Sequence, residues 1–385
     1  MLTIGASMRI NTVLLLVCLA IPRIAAGSDR RESQPAAPGA GDIFVHTALG
    51  GFILGYDIDQ TGTEGVLSEA LTLGNGKHNV AIETFDQKTG KILKVIKELD
   101  ESKDDFVTLG IFAGSTGLVE FEHVSNLFVD RRLYGTIRPL NGDRFTGRWT
   151  PPLAKDEIIA SLGVSQSSPN TAVFAFENGG NNQSFVFSTN VAANTFGPRI
   201  VLNDPLFSFN DSPVMAYNSN TNQAVMGASN GCPLCSPEIL TVDLTTGEQS
   251  EFTGLGFGFI NGIAVDPVRG IACTTTEIDF SVEFYDLAKQ TGIIVKLPGA
   301  TSQAQSGGDV QFDPIHKVFL VGQEFSSTAP TGSSIQIFDE QGNFLESVNN
   351  LSLPASPAYM ALHPSKRAGY VIVTPDLTRL QSFTY

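Results

Sequence analysis

Histidine, tryptophan and cysteine are scarce in this chain, and each scarcity removes a class of chemistry. The five histidines (His46, His78, His123, His316 and His363) show no H-x-H, H-E-x-x-H or other paired spacing, so a zinc or iron site has no support. Of the four cysteines, Cys18 falls in an N-terminal apolar run, which leaves Cys232, Cys235 and Cys273. Cys232-Pro-Leu-Cys235 lies in a Gly/Pro-rich loop, whereas a redox site needs that spacing at a helix N-terminus, so it reads as a loop staple. Cys273 reads as a buried free thiol on a strand, or as the partner of one of the other two. The single tryptophan, Trp149, accompanies Arg144 and Arg148 on an outer strand, where it packs or offers a ring to a sugar. Charge is sparse at 16%, and 24 Lys and Arg against 39 Asp and Glu leave a net charge of −15. That balance excludes nucleic acid and an anionic membrane surface as partners. No Gly-rich phosphate loop precedes a helix.

Long apolar runs are also missing, with one short exception. Thr12–Ile21 is apolar but too short to span a bilayer; Arg9 precedes it and Ala25-Ala26-Gly27 follows. Residues 1–27 therefore read as a signal peptide, and the mature chain as exported, periplasmic or extracellular. Cys18 does not make a lipid anchor, because Val17 stands where a small residue is wanted. Residues 28–41, polar and rich in Pro and Ala, read as a disordered linker, and 42–385 as one domain. Export permits a disulfide.

What the chain has in abundance is turns: 38 of its 385 residues are glycine. Residues 259–298 contain four short strands, Gly262–Asp266, Gly270–Thr276, Val282–Asp286 and Ile293–Leu297, separated by Asp266-Pro267, a short polar segment and Thr291-Gly292. In the third of these, Val282, Phe284 and Asp286 alternate with Glu283 and Tyr285. The ends of the first strands recur at Asn218, Asp266, Asp313 and His363, in steps of about 48 residues. The third strands place Asp243, Asp286 and Asp339 before turns carrying Gly247, Gly292 and Gly342. There the carboxylate accepts turn amides and the glycine takes positive φ. These aspartates are structural.

The same frame extends backwards, with Asp59 standing for Asp266 and Asp86 with Gly90 for Asp286 with Gly292. Full repeats begin near residues 52, 106, 158, 213, 262 and 308, with 106–202 the least regular stretch. A last repeat after Ala358 supplies only three strands, and Asp42–Thr47 is a strand without a repeat. Pairing the two ends removes both exposed edges. The expected fold is all-β: a seven-bladed β-propeller of four-stranded antiparallel blades, closed by its N-terminal strand.

The phrase INGIAVDP, followed by FSVEFYD and the KQTG turn, resembles the YVTN-type and NHL-type secreted propellers of bacteria, and is shared with gluconolactonase-like calcium-dependent lactonases. The first two kinds imply a binding or interaction module. The third implies a metal held in the channel by Glu, Asn and Asp. Asn261 matches that Asn and Asp309 that Asp, while Leu49-Gly50-Gly51-Phe52 stands where the Glu belongs.

In a propeller the loops entering the innermost strands rim the central channel. Here they are Asn210-Asp211, Phe257–Asn261, Gly307–Asp309 and Ser356-Pro357. Asn261 and Asp309 either converge on a hard cation such as Ca²⁺ or tie down loop backbone. Gly227-Ala228-Ser229-Asn230-Gly231 matches G-x-S-x-G but lacks the helix that a nucleophile elbow requires. Asp57-Ile58-Asp59-Gln60-Thr61-Gly62 lacks an EF-hand's closing Glu, having Ser68 in that place, and reads as a hairpin turn. Asn218–Asn222 reads likewise, and Asp100–Asp105 as a solvated loop. No catalytic set is complete. The sequence therefore predicts a monomeric, non-catalytic propeller without a cofactor, not inserted in a membrane, that binds a protein, peptide or glycan at the channel rim. The alternative is a Ca-dependent lactonase-type hydrolase using Asn261 and Asp309.

Overall fold

The computed structural model describes residues 38–385 apart from 60–61, 73–77, 101–105, 115–116, 125–131, 139–158, 169–170, 179–182, 191–194, 204–213, 229–235, 259, 277–279, 301–306, 324–333, 350, 352–354 and 374–376. Among the described residues every regular element is a strand except a single 3₁₀ turn, Pro364–Lys366, and no helix is long and apolar enough to cross a membrane.

The chain opens with β1 (Gly39–His46) and then lays down antiparallel sheets in sequence order. The first sheet is β2 (Phe52–Ile58), β3 (Glu64–Thr72), β4 (His78–Asp86) and β5 (Ile92–Asp100). The second is β6 (Phe106–Gly114), β7 (Gly117–Val124) and β8 (Arg132–Arg138). The third is β9 (Ile159–Ser168), β10 (Thr171–Asn178) and β11 (Gln183–Asn190), edged by the short β12 (Thr195–Phe196) and β13 (Ile200–Val201). Then come β14 (Met215–Asn218), β15 (Gln223–Ala228), β16 (Glu238–Asp243) and β17 (Gln249–Thr253). The next sheet is β18 (Ile260–Asp266), β19 (Ile271–Thr276), β20 (Ser281–Asp286) and β21 (Thr291–Lys296), within a residue or two of the strands read from 259–298. It is followed by β22 (Gly307–Asp313), β23 (Val318–Gln323), β24 (Ser334–Asp339) and β25 (Phe344–Val348). The last sheet holds β26 (Ala355–His363), β27 (Ala368–Val373) and β28 (Arg379–Thr384), with β1 pairing antiparallel to β28 as its fourth strand. β1 begins at Gly39, so the last residues expected in the linker are strand.

Each sheet's first strand lies beside the first strand of the next, and β26 lies beside β2. The core sits between sheets. Phe284 from β20, for example, packs edge-on against Phe319 of β23 (5.7 Å) and tilted against Phe338 of β24 (5.8 Å). Because a sheet is covered on both faces, alternation does not sort inside from outside. Ser281–Tyr285 are all buried, including Glu283 and Tyr285, which the alternating pattern assigned to a polar face.

The turns follow the sequence frame with one correction. Asp243 accepts the amides of Thr245 (2.7 Å) and Thr246 (2.8 Å), and Gly247 has φ +76°. Those bonds hold the Asp243 carboxyl below its ordinary range. Behind Asp286, however, the positive φ falls on Gln290 (56°). Gly292 serves another purpose: a Cβ there would lie 2.6 Å from the Phe284 carbonyl oxygen, so its lack of a side chain lets β21 close on β20.

Candidate functional site

The functional positions follow from a repeated irregularity. Near its start, each innermost strand except β14 carries unpaired residues opposite its neighbour: Leu54, Leu109, Ala160, Asn261, Gly308-Asp309, and 357–359 on β26. A bulge interrupts the ladder and bends the strand, here near the start of each first strand. Asn261 and Asp309 both occupy such positions.

Their side chains tie one sheet to the next. Asn261 donates from Nδ2 to the Gly307 carbonyl at 3.1 Å, linking β18 to β22. Its neighbour Thr275 donates to the Gly308 carbonyl at 2.5 Å. Asp309 accepts from the Met360 amide at 2.8 Å, linking β22 to β26, and from Gln311 Nε2 at 2.9 Å, both on Oδ2. Asp309 is half-buried, and removal of its carboxyl from water pushes it up to about 7, against the lowering pull of the Gln311, Met360 and Val310 bonds. Both side chains thus bond to backbone of the next sheet. Asn261 keeps its Oδ1 for solvent or ligand. Among the described residues no group of three or more His, Cys, Asp or Glu is arranged to hold a metal.

Behind the bulges lies a layer of buried polar groups that sequence reasoning missed. Glu69 and Glu83, both fully buried, receive the amides of Leu49 (2.7 Å), Gly51 (2.8 Å) and Ala48 (3.1 Å). Glu283 accepts from Thr274 (2.7 Å) and Ser281 (3.2 Å). Gln336 donates to Gln323 at 2.8 Å. A signal did exist: Glu83, Glu283 and Gln336 each stand three positions before the turn aspartate, at Asp86, Asp286 and Asp339.

This layer shapes the rim. The Leu255 amide donates to Tyr285 Oη at 2.7 Å and the Gly254 amide to the Pro237 carbonyl at 2.7 Å. A Cβ on Gly256 would lie 2.5 Å from a Glu283 oxygen, so the loop sits flush on the buried acid. Held this way, residues 254–258 present Leu255 (40% exposed) and Phe257 (51% exposed), while Phe52 (40%) stands where the chain enters β2.

The other sequence candidates have structural roles or lie outside the described residues. Asp57 accepts the Ile58 amide (2.8 Å) and the Asp59 amide donates to Glu64 (2.9 Å), as in a hairpin. Asn218 accepts the Asn220 amide at 3.1 Å. Cys273 is free and buried, and burial pushes its thiol up. His316 contacts Asp313 at 2.6 Å, and His363 is buried beside Ser365. Gly227 and Ala228 belong to β15. Residues 229–235 (with Cys232 and Cys235), Asn210, Asp211, Trp149, 101–105 and the expected signal peptide fall outside the described residues.

The arrangement of sheets matches solved structures. A chain in the crystal structure of the mitotic checkpoint complex aligns with 97% of this chain and 99% of its own length, at 14% identity and a TM-score of 0.56. The Dos1 propeller aligns with 90% of this chain and 95% of its own, at 10% identity and a TM-score of 0.59. Both neighbours are WD40 β-propellers. The fold is a β-propeller. At such identities the likeness speaks to fold alone. No protein-family model matches the chain, and no curated protein sequence does.

Proposed function

We propose that this chain is an exported, non-catalytic, monomeric seven-bladed propeller, closed by β1, that binds a protein or peptide at the rim where the chain enters the innermost strands. The observation that carries this reading is the pinned loop 254–258. Its backbone is fixed by Tyr285, Pro237 and Glu283, so the exposed Leu255 and Phe257 are held in place before any partner arrives. Aromatic anchors on a preorganised backbone lose little entropy on binding. The pairing of β1 with β28 and the contact of β26 with β2 support closure. Residues 1–27 support export, and the YVTN- and NHL-like blade phrases support an interaction module.

The test is site-specific photo-crosslinking in the native exterior. A crosslinker at Phe257 is expected to capture a discrete partner that is lost with Leu255→Asp. One at Asp243, in a turn at the opposite end of the strands, is expected to capture none. Equal capture from both positions overturns the rim assignment. A calcium titration followed by thermal shift addresses the lactonase-type alternative, in which Asn261 and Asp309 are ligands: Ca²⁺-linked stabilisation abolished by Asp309→Asn would favour it.

A further inference from the structure

The buried carboxyls of Glu69 and Glu83 present a proton-counting problem. Glu69 receives the Leu49 and Gly51 amides on its two oxygens, and Glu83 receives the Ala48 amide on both of its own. Register sets Glu69 opposite Ala81, two residues before Glu83, so the two buried carboxyls are diagonal neighbours on one face of the sheet. A carboxylate offers only acceptors, so such neighbours bond to each other only with a proton on one of them. In the sheet of β22–β25, register puts Gln323 and Gln336 at the corresponding positions. There an amide hydrogen makes the bond at 2.8 Å. One sheet has the hydrogen built into its side chain; the other must take it from solution.

What this pair holds is the junction at which β1, paired to β28, passes into β2. We propose that Glu69 and Glu83 form a proton-operated latch on residues 48–51. With one shared proton the junction is closed onto the first sheet; with both carboxyls ionised it loosens.

Among the described side chains around the pair, none is a cation placed to replace the proton. The loop itself carries no titratable side chain. His46, at the end of β1, is exposed and in register with Arg379 of β28, whose guanidinium lies over Phe44. On β5, Lys94 is in register with Thr84, which adjoins Glu83 and so points to the opposite face, and Lys97 is in register with Ile82. Glu98 is in register with Ala81, in line with Glu69, and adds no positive charge. Asp57, Asp59 and Glu64 lie at the far ends of β2 and β3, as does Asp86 on β4, and His78 begins β4. The residues of β26–β28 packed against this region, Ala361, Tyr370, Ile372 and Leu380, carry no ordinary charge. Burial and Glu69 accordingly raise the Glu83 carboxyl to about 8, with the Ala48 amide pulling the other way. A carboxyl raised on folding stabilises the closed form fully below its unfolded pKa, and that contribution is lost as pH rises through about 8.

The test is hydrogen exchange of the Ala48, Leu49 and Gly51 amides in the full chain, corrected for intrinsic pH dependence. In the wild type, protection is expected to fall about a hundredfold between about pH 6 and pH 9, while the Leu255 amide keeps its protection. Glu83→Gln supplies its own hydrogen and retains an acceptor for Ala48, so protection becomes independent of pH; Glu69→Gln acts in the same direction. An unchanged pH dependence in a folded Gln variant, or a flat wild type, overturns the proposal. Should neither variant fold, the wild type still decides: absence of a protonated-carboxyl infrared band at about pH 6 refutes the latch.

Discussion

Gly262→Ala tests how closely the innermost strands approach. A Cβ at this position would stand 2.4 Å from the Gly308 carbonyl oxygen, 2.7 Å from the Val310 nitrogen and 2.9 Å from the Asp309 carbonyl carbon. All three are backbone atoms of β22, which cannot rotate aside as the end of a side chain can. β22 is held by its ladder with β23 and by the bonds from Asn261 to Gly307 and from Thr275 to Gly308. To reach ordinary contact the strands must part by nearly an ångström. Overpacking of this kind costs about 1–3 kcal/mol. Weakening two buried hydrogen bonds adds about 0.5–1.5 kcal/mol each. The expected loss is therefore about 2–6 kcal/mol. With an unfolding entropy near 2 cal/mol/K per residue over ~340 residues, that is a Tm lowered by about 3–9 °C. Gly270→Ala is the comparison: its φ is +67° but nothing lies within 4 Å, so only local backbone strain of about 1 kcal/mol applies. Differential scanning calorimetry separates the two. If Gly262→Ala melts no lower than Gly270→Ala, the close approach of β18 and β22 is refuted.

Two further outcomes follow from the same packing. Asp309→Asn should flatten the pH dependence that this carboxyl contributes. Its pKa rises from 3.8 to about 7 on folding, so its contribution is full below the unfolded value and is lost as pH climbs to about 7. Three units correspond to about 4 kcal/mol, which partial solvent screening reduces to roughly 2 kcal/mol. Urea unfolding at about pH 5 and pH 8 measures it, and an unchanged difference in the variant counts against the assignment. Phe319→Ala should cost about 3–5 kcal/mol, since this fully buried ring packs on Phe284 at 5.7 Å and Phe312 at 4.8 Å. A loss under 1 kcal/mol in urea unfolding would mean that β23 is not covered as described.

The repeat was legible because its turns are chemically demanding. Asp243 and Asp339 must accept turn amides and Gly247 and Gly342 must take positive φ, so these residues recur and mark each third strand's end. The strand at the N-terminus was legible as the missing member of the last sheet, and β1 pairs with β28. What the pattern concealed was three-dimensional. Alternation along β20 set Glu283 and Tyr285 apart from Val282 and Phe284, but neighbouring sheets cover both faces and bury all four. Gly292 was assigned to a turn, whereas its constraint comes from the Phe284 carbonyl across the ladder. The bulges at Asn261 and Asp309 left no mark in the spacing, because one added residue is lost within the variable loops ahead of each strand.

The site was legible to a lesser degree, and the reason lies in how this fold uses polar residues. Asn261 and Asp309 were singled out as oxygen-bearing residues at strand entries, and both bond to backbone of the next sheet. Glu69 with Glu83, Gln323 with Gln336, and Glu283 with Thr274 serve loops or neighbouring strands. Across these adjoining sheets the bulged strand starts leave backbone amides and carbonyls off the ladders, and these must find partners once buried. Polar side chains near the strand entries are thus consumed by the architecture before any ligand arrives. In the proposed binding role, recognition falls to the groups the architecture leaves exposed, which along the pinned loop 254–258 are the apolar side chains of Leu255 and Phe257. The same logic separates structural acids from binding residues: an acid whose oxygens all meet backbone donors supports a loop, and the loop's exposed side chains meet the partner.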